Sequence, residues 1–349
     1  MVNLQTLNKK EIGVIAEHIT KDLSIFVVAE NGEINKPANG GLRLLHYETD
    51  LDCVRDGFRL AKLMKTKHDL YSTGFSGGKI VARSSDISSV KDKLISITSE
   101  LLQNLDGKMI TGCDLNTDIF DMKKLNKLTP HVLAAVDSQI DASTTTAKGV
   151  IGAFEAFQKS FNCDLSNGAL VHGCGAVGKI VASELALLGI KTFVVDKDVE
   201  KTIIPGTISL GNDCKWYQKK FDLLFPCSVS GLIDTHIAPF LLDKKGIISA
   251  ANAPFSNEII PDKLGKSNLV IIPDPLVNAG AVIADSIERY SPEAWNIATP
   301  ETVYDFVKDA IRKKCFSFLS MLQSGLTADE ILELIKEEKN PIIGKTFCK

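Results

Sequence analysis

Residues 168–196 read GALVHGCGAVGKIVASELALLGIKTFVVD, and the reading of this stretch decides the fold class. GALVHG has the apolar run of a strand, KIVASELALLG has a helical period, and KTFVVD is a second strand, so the segment is a βαβ unit. Gly173, Gly175 and Gly178 fall between strand and helix, interleaved with Cys174, Ala176 and Val177. Glycines there permit a tight turn and let backbone N–H groups at the helix N-terminus approach a pyrophosphate. Asp196 closes the next strand at about the 20-residue offset expected of an acid that binds the adenosine ribose hydroxyls. A glycine turn with no ligand would share the local pattern, but the strand before it, the helix after it and Asp196 together favour a dinucleotide. The charge of Asp196 would repel a 2′-phosphate, which favours NAD over NADP, whereas Lys191 and Lys197 nearby act the other way.

The same alternation extends outward. DLLFPC, GIISAAN and LVIIPD suit further strands of one parallel sheet, and the helix GVIGAFEAFQKSF precedes the βαβ unit. Upstream, SIFVVAE and KIVARS read as strands and CVRDGFRLAKLMKTKHDL and VKDKLISITSELLQNL as helices, which makes a separate α/β region. The tail is helical: VYDFVKDAIRKKCFSFLSML is followed by the entry signal Thr327-Ala-Asp-Glu330 and ILELIKEEK. At 349 residues the chain exceeds the roughly 150 expected of one domain. The expectation is an N-terminal α/β substrate domain over 1–136 with 326–349, a Rossmann dinucleotide-binding domain over 137–325, and a cleft between them.

Composition removes whole classes of function. A net charge of -3 carries no polyanion signature, so nucleic acid is not an expected partner. MVNLQTLNKKEIGVIAEHIT has no long apolar stretch, and nothing elsewhere reaches the roughly 20 apolar residues of a membrane helix, so no membrane association and a cytoplasmic location are expected. The 8 cysteines include no C-x-x-C pair and read mostly as small core hydrophobes with free thiols; Cys113, beside Asp114, reads as structural filler. The 6 histidines include no H-x-x-x-H pair, which leaves a bound metal without support.

Residues 40–81, GGLRLLHYETDLDCVRDGFRLAKLMKTKHDLYSTGFSGGKIV, place Lys67 at the end of a helix and Lys79 beyond a glycine-rich turn, and Asp114 follows in ITGCDLNTDIFDM. Taken singly, lysines and aspartates are usually solvated surface groups. Their ordered pattern, however, resembles the leucine, phenylalanine, valine and glutamate dehydrogenase family, and most closely its leucine/phenylalanine type. Two lysines twelve positions apart, the second after a glycine pair, match Lys67 and Lys79, and an ITxxDxxT segment matches Asp114. The similarity continues through Gly40-Gly41-Leu42-Arg43, Thr146-Ala147-Lys148-Gly149-Val150, Gly173 to Gly178 with Asp196, Pro226-Cys227, Ala250-Ala251-Asn252, Pro273-Asp274 and Asn278-Ala279-Gly280. It spans most of the chain, from about Ile25 to the helix starting near Val303.

That resemblance implies NAD-dependent, reversible oxidative deamination of an L-amino acid to a 2-oxo acid and ammonia by a cytoplasmic homo-oligomer. Lys67 would clamp the substrate carboxylate, Lys79 activate water and Asp114 relay protons. The implied substrate set adds Asn39, Gly40, Gly41, Met64, Asn278, Val282 and Asp285. The implied cofactor set is Thr146, Gly173, Gly175, Ala176, Val177, Gly178, Asp196, Lys197, Cys227, Ala251, Asn252 and Asn278. For Thr146, Asn252 and Asn278 a loop or cap role is the competing reading.

Two departures from the leucine type stand out: Asp141-Ala142 replaces asparagine-proline, and the short tail NPIIGKTFCK replaces the extension of octameric relatives. Asn39 stands where that type has leucine, and Asp285 where an aliphatic residue is expected, with Glu288 and Tyr290 matching in the same register. A preference for polar or cationic amino acids follows if Asp285 lines the pocket. Pairing with a neighbouring base or exposure to solvent are the alternatives. Two rival functions remain: a catalytically idle NAD-binding regulator, which would not need Lys67, Lys79 and Asp114 together, and a dehydrogenase of another 2-substituted acid, which would usually need a histidine relay.

Overall fold

The computed structural model describes residues 13–29, 36–133, 135, 136, 138–265, 267–337 and 340–348. The first twelve residues of the N-terminal stretch, Glu30 of SIFVVAE, Asp137 at the expected domain boundary, Glu338 and Lys339 of ILELIKEEK, and Lys349 therefore lie outside it. The chain divides into two compact units, Met1–Gln139 with Asp285–Ile297 and Asn340–Lys349, and Ile140–Ala284 with Ala298–Lys339.

The first unit is built on a mixed sheet of β1 (Val14–Ile19), β2 (Ser24–Ala29), β3 (Ala38–Asn39), β4 (Leu42–Leu45), β5 (Ser76–Arg83) and β6 (Met109–Ile110), with α1 (Asp50–Tyr71), α2 (Lys91–Asn104) and α3 (Ile119–Asn126). The order is β1-β2-β5-β3-β6, and β4 also pairs with β5. β1 and β5 run antiparallel to β2, whereas β3 and β4 run parallel to β5. β3 and β4 pair with successive parts of β5, so they form one strand line broken at Gly40-Gly41.

β2 is buried at every position because helices cover both faces of the sheet. Ile25 and Val27 share a core with Leu94 and Leu102 of α2 and with Met122 and Leu125 of α3, while Phe26 and Val28 share one with Cys53, Val54 and Ala61 of α1. Strand side chains alternate in direction, so the neighbours of these core residues are sorted as well. Ala38, Leu42, Leu44, Ile80 and Ala82 join the α2/α3 core, which leaves Asn39, Arg43 and Lys79 on the face covered by α1. The helix lies close to that face because Gly77 of β5 has no side chain; a Cβ there would meet Ala61 O at 2.2 Å and Lys65 N at 2.6 Å.

The second unit carries β7 (Ala169–His172), β8 (Thr192–Val195), β9 (Ile208–Ser209), β10 (Leu223–Pro226), β11 (Gly246–Ile248) and β12 (Val270–Ile272) in the order β12-β11-β10-β7-β8-β9. Every ladder is parallel. This is the Rossmann order, with its reversal point between β7 and β10. Before β7 comes α4 (Ala142–Phe161), between β7 and β8 comes α5 (Ala176–Leu187), and α6 (Ile259–Gly265) precedes β12. α4 begins seven residues before GVIGAFEAFQKSF because the Asp141 side chain caps it, accepting from Thr144 N at 2.7 Å. Asp141, one of the two departures from the family pattern, thus has a structural role.

After α7 (Asp274–Val277), α8 (Gly280–Tyr290) carries the chain from the second unit into the first, where α9 (Pro292–Ile297) follows. α10 (Pro300–Gln323) and α11 (Ala328–Glu337) belong to the second unit, and α12 (Ile343–Thr346) returns to the first. The expected split at 326 therefore differs from the observed one. The Thr327–Glu330 box does cap α11, with Glu330 accepting from Thr327 N at 2.8 Å, and Ile331 and Ile335 are buried, so α11 completes the second unit. Only the tail crosses back, where Gly344 N donates to Ser286 Oγ at 3.1 Å and Ile343 N to Ser72 O at 3.0 Å.

Candidate active site

In the first unit the broken strand line and the turn after β6 form the floor of the site. Leu42 N donates to Gly112 O at 2.9 Å and Thr111 Oγ1 to Gly40 O at 2.9 Å, so the segment entering Asp114 is fastened along Gly40-Gly41-Leu42. Thr117 Oγ1 accepts from Asp114 N at 2.9 Å and donates to Leu42 O at 2.7 Å, which orients the aspartate. The carboxylate of Asp114 then meets two cations: Lys79 Nζ lies 2.6 Å and Arg43 Nε 2.7 Å from its Oδ2. Arg43 is held from its other side by Asp56 at 3.0 Å, and Asp56 also accepts from Tyr47 Oη at 2.7 Å.

The electrostatics follow from that geometry. Lys79 is buried, and its removal from water, with the charge of Arg43, pulls its pKa below the ordinary lysine value against the opposing attraction of Asp114. Burial alone would raise the Asp114 carboxyl, but Lys79 and Arg43 outweigh burial and hold it well below the usual carboxylate range. The result is an anion flanked by a fixed cation and a lysine biased towards its neutral form.

Lys67 is buried just before the last turn of α1, with Met64 half-buried one turn earlier. The next residue, His68, is fully buried and pushed down to about pKa 3 by loss of water, so it is neutral. Its Nδ1 lies 2.7 Å from Thr73 Oγ1 and its Nε2 3.4 Å from Asn39 O, which ties the end of α1 to β3. Asn39 Nδ2 donates to Asp285 Oδ2 at 3.1 Å. Asp285 thus pairs with a neighbouring amide, neither with a base nor with solvent alone. Cys113, expected to be core filler, is exposed, and among the cysteines only Cys53, Cys174 and Cys315 are buried.

In the second unit the sequence-derived cofactor set, Thr146 of α4 apart, follows the carboxyl ends of the parallel strands. β7 leads into Gly173, β8 into Asp196 and Lys197, β10 into Cys227, β11 into Ala251 and Asn252, and the segment after β12 into Asn278. The three glycines of the turn are needed for three different reasons. Gly173 has φ +96°, and a Cβ on Gly178 would lie 1.9 Å from Gly173 O, so these two shape the turn itself. Gly175 has an ordinary φ of -70° and caps α5 without a side-chain hydrogen bond, and a Cβ there would meet no atom within 4 Å. Ala176 and Val177 follow in the first turn of α5, whose leading N–H groups have no partner within the helix. Asp196 accepts from Cys174 N at 2.6 Å and Asp198 N at 2.9 Å, and these bonds with the Lys201 charge outweigh burial and lower its pKa. The open face at Gly175, the uncapped helix and the fixed carboxylate suit a dinucleotide.

Asn278 Nδ2 donates to Ala250 O and Asn252 Oδ1, each at 3.1 Å, so these two asparagines form a pair. The hydroxyl of Thr146 donates to Ala142 O at 3.0 Å, inside α4, and Lys197 is exposed. Val282 is buried, as are Ile283 and Ala284 after it in α8. The sequence pattern marked Arg43 as part of a turn but did not reveal its pairing with Asp114, and it passed over His68 entirely. An arginine three residues after a glycine and a histidine next to a candidate lysine were the available signals.

The chain is similar to known proteins in sequence and in fold. The model of the Glutamate/Leucine/Phenylalanine/Valine dehydrogenase family matches residues 196–332. The chain is 28% identical over 310 residues to phenylalanine dehydrogenase of Caldalkalibacillus thermarum, covering 82% of each protein. It is 25% identical over 319 residues to leucine dehydrogenase of Thermoactinomyces intermedius, covering 88% of this chain and 87% of that protein. Among solved structures, L-tryptophan dehydrogenase from Nostoc punctiforme shares the fold with a TM-score of 0.71 at 22% identity, over 97% of this chain and 98% of that one. The hetero-hexameric glutamate dehydrogenase from Thermus thermophilus does so with a TM-score of 0.73 at 18% identity, over 90% and 84%.

Proposed function

We propose that this chain, which belongs to the Glutamate/Leucine/Phenylalanine/Valine dehydrogenase family, is an NAD-dependent amino-acid dehydrogenase that reversibly converts an L-amino acid and water to a 2-oxo acid and ammonium. The observation that carries this reading is the buried Lys79–Asp114 contact of 2.6 Å with Arg43 on the same oxygen. A lysine biased towards neutrality beside an ionised carboxylate is a base with a proton relay, and such pairs contribute about 10²–10⁴-fold to turnover.

In this mechanism Lys67 binds the α-carboxylate as a point charge and fixes the orientation of Cα. The α-amine loses a proton towards Asp114, and Cα loses a hydride, giving an imino acid. Bound NAD supplies the two-electron acceptor. Lys79 then takes a proton from water as the water adds to the imine carbon. Asp114 returns a proton to the nitrogen, the C–N bond breaks as the hydroxyl of the adduct gives its proton to the departing ammonia, and the 2-oxo acid and ammonium remain while Lys79 releases its proton to solvent. Asp196 with its two N–H donors would hold the adenosine ribose through its remaining lone pairs, and the Gly175 face would take the pyrophosphate. A 2′-phosphate would face that carboxylate, which is the reason for assigning NAD. A homo-oligomer is the assembly we assign, on the family resemblance alone.

The test is a screen of L-amino acids with NAD and with NADP, read by absorbance of the reduced cofactor, and of 2-oxo acids with ammonium in reverse. NAD is expected to be the more efficient cofactor. No turnover in either direction would dismiss the enzyme assignment, and equal or better efficiency with NADP would dismiss the role given to Asp196.

A further inference from the structure

Asn39 and Asp285 form a polar pair that the reaction itself does not use. Asn39 is 1% exposed, on the face of β3 that α1 covers, and its Oδ1 has no hydrogen-bond partner although its Nδ2 is engaged. Asp285, half-buried on α8, has that amide as its hydrogen-bond donor and no cation in contact among the described residues. Glu288, one helical turn further, adds negative charge, while its own Oε2 accepts from Ala135 N at 3.2 Å. Among the described residues Asn39 Oδ1 and the Asp285 carboxylate thus share a single donor, the Asn39 amide, and loss of water with the Glu288 charge drives the Asp285 pKa well above the usual range.

This pair adjoins the catalytic groups. The residues following Asn39 are Gly40 and Gly41, whose Cβ atoms would collide with Gly78 O at 1.8 Å and Cys113 O at 2.5 Å, on the segments leading to Lys79 and Asp114. His68, next to Lys67, contacts Asn39 O, and Cys113 lies within electrostatic reach of both Asp114 and Asp285.

We propose that the amino acid this enzyme oxidises carries an amine at the end of its side chain, bound by the Asp285 carboxylate and the Asn39 amide oxygen. The inference rests on the dehydrogenase reading and specifies its substrate class. An ammonium brings donors to both acceptors and compensates the charge of Asp285. An aliphatic or aromatic side chain would strand both acceptors, an acidic one would be repelled, and a neutral hydroxyl or amide would leave the charge uncompensated. The competing arrangement is a protonated Asp285 donating to a flipped Asn39 amide, which would satisfy the pair without a ligand and admit apolar substrates.

The experiment compares kcat/KM of the full-length protein with NAD on L-2,4-diaminobutyrate, L-ornithine and L-lysine against L-leucine, L-phenylalanine, L-serine and L-glutamine. At least one amine substrate should exceed every neutral one by about a hundredfold or more. The product tests the position of attack: after loss of the α-amine from ornithine or lysine, the terminal nitrogen condenses with the new carbonyl and expels water. The product is then a cyclic imine one water lighter than the open 2-oxo acid. Asp285→Val should lose amine substrates by at least about a hundredfold and gain on leucine, and the isosteric Asp285→Asn should lose them without gaining leucine. Wild-type enzyme most efficient on a neutral substrate would overturn the inference and leave the dehydrogenase standing. Absence of turnover with all amino acids and 2-oxo acids would overturn both.

Discussion

In the proposed mechanism Lys79 meets opposing demands: it must lie close enough to Asp114 to exchange a proton, yet be neutral when water arrives. Burial and Arg43 lower its pKa, and Asp114 raises it. Lys79→Ala and Asp114→Asn should therefore each lower turnover by at least about a hundredfold, with NAD affinity nearly unchanged. The pH profile adds a sign. Activity should rise with pH as Lys79 loses its proton, and Asp114→Asn removes the anion that keeps that proton on. The acid limb of the residual activity in Asp114→Asn should thus move to lower pH. An unmoved or upward-shifted limb would show that the limb reports another group.

The strand, turn and helix at residues 169–187 separate structural glycines from ligand-facing ones. Gly178→Ala should destabilise the second unit by about 1–3 kcal/mol, because its Cβ would meet Gly173 O at 1.9 Å and α5 would have to move. Gly175→Ala has no such neighbour and an ordinary φ of -70°, so its stability should stay within about 0.5 kcal/mol of wild type. The added methyl would occupy the face where the proposed function places the pyrophosphate, and NAD binding should weaken by at least about tenfold. Thermal unfolding and cofactor titration of the two variants separate these effects. Unchanged NAD affinity in Gly175→Ala would remove the pyrophosphate from that face.

Across the whole molecule, carboxylates of the first unit pull stability in opposite directions. Asp114 has a depressed folded pKa, so its stabilisation is complete above its unfolded value, about 3.9, and is lost as pH falls through the folded value. Asp285 has a raised folded pKa, so it weakens the fold increasingly as pH rises above about 3.9 towards that folded value. At neutral pH, Asp285→Asn should raise the melting temperature of the first unit and Asp114→Asn should lower it, and the first gain should vanish near pH 4. A fall with Asp285→Asn would mean that Asp285 is a structural partner of Asn39, with no cost retained for binding.

Period and punctuation made most elements legible. β2, β5, β7, β8, β10, β11 and β12 coincide with apolar runs, and α1, α2, α5, α10 and α11 with helical periods. β3, β6 and β9 span two residues each, too few to show a period, and the start of α4 was hidden because Ser143 to Thr146 are poor helix formers that depend on the Asp141 cap. The glycine turn with Asp196 was readable because its parts lie within one βαβ unit, where local geometry carries the meaning. The order of Lys67, Lys79 and Asp114 was readable only through resemblance. That Arg43 and Lys79 share one oxygen of Asp114, that Asn39 reaches Asp285 across 246 positions, and that α11 belongs to the second unit were decided by tertiary structure. Strand parity and helix period specify which face a side chain takes, but its partner is chosen only when sheet register and helix packing bring distant segments together.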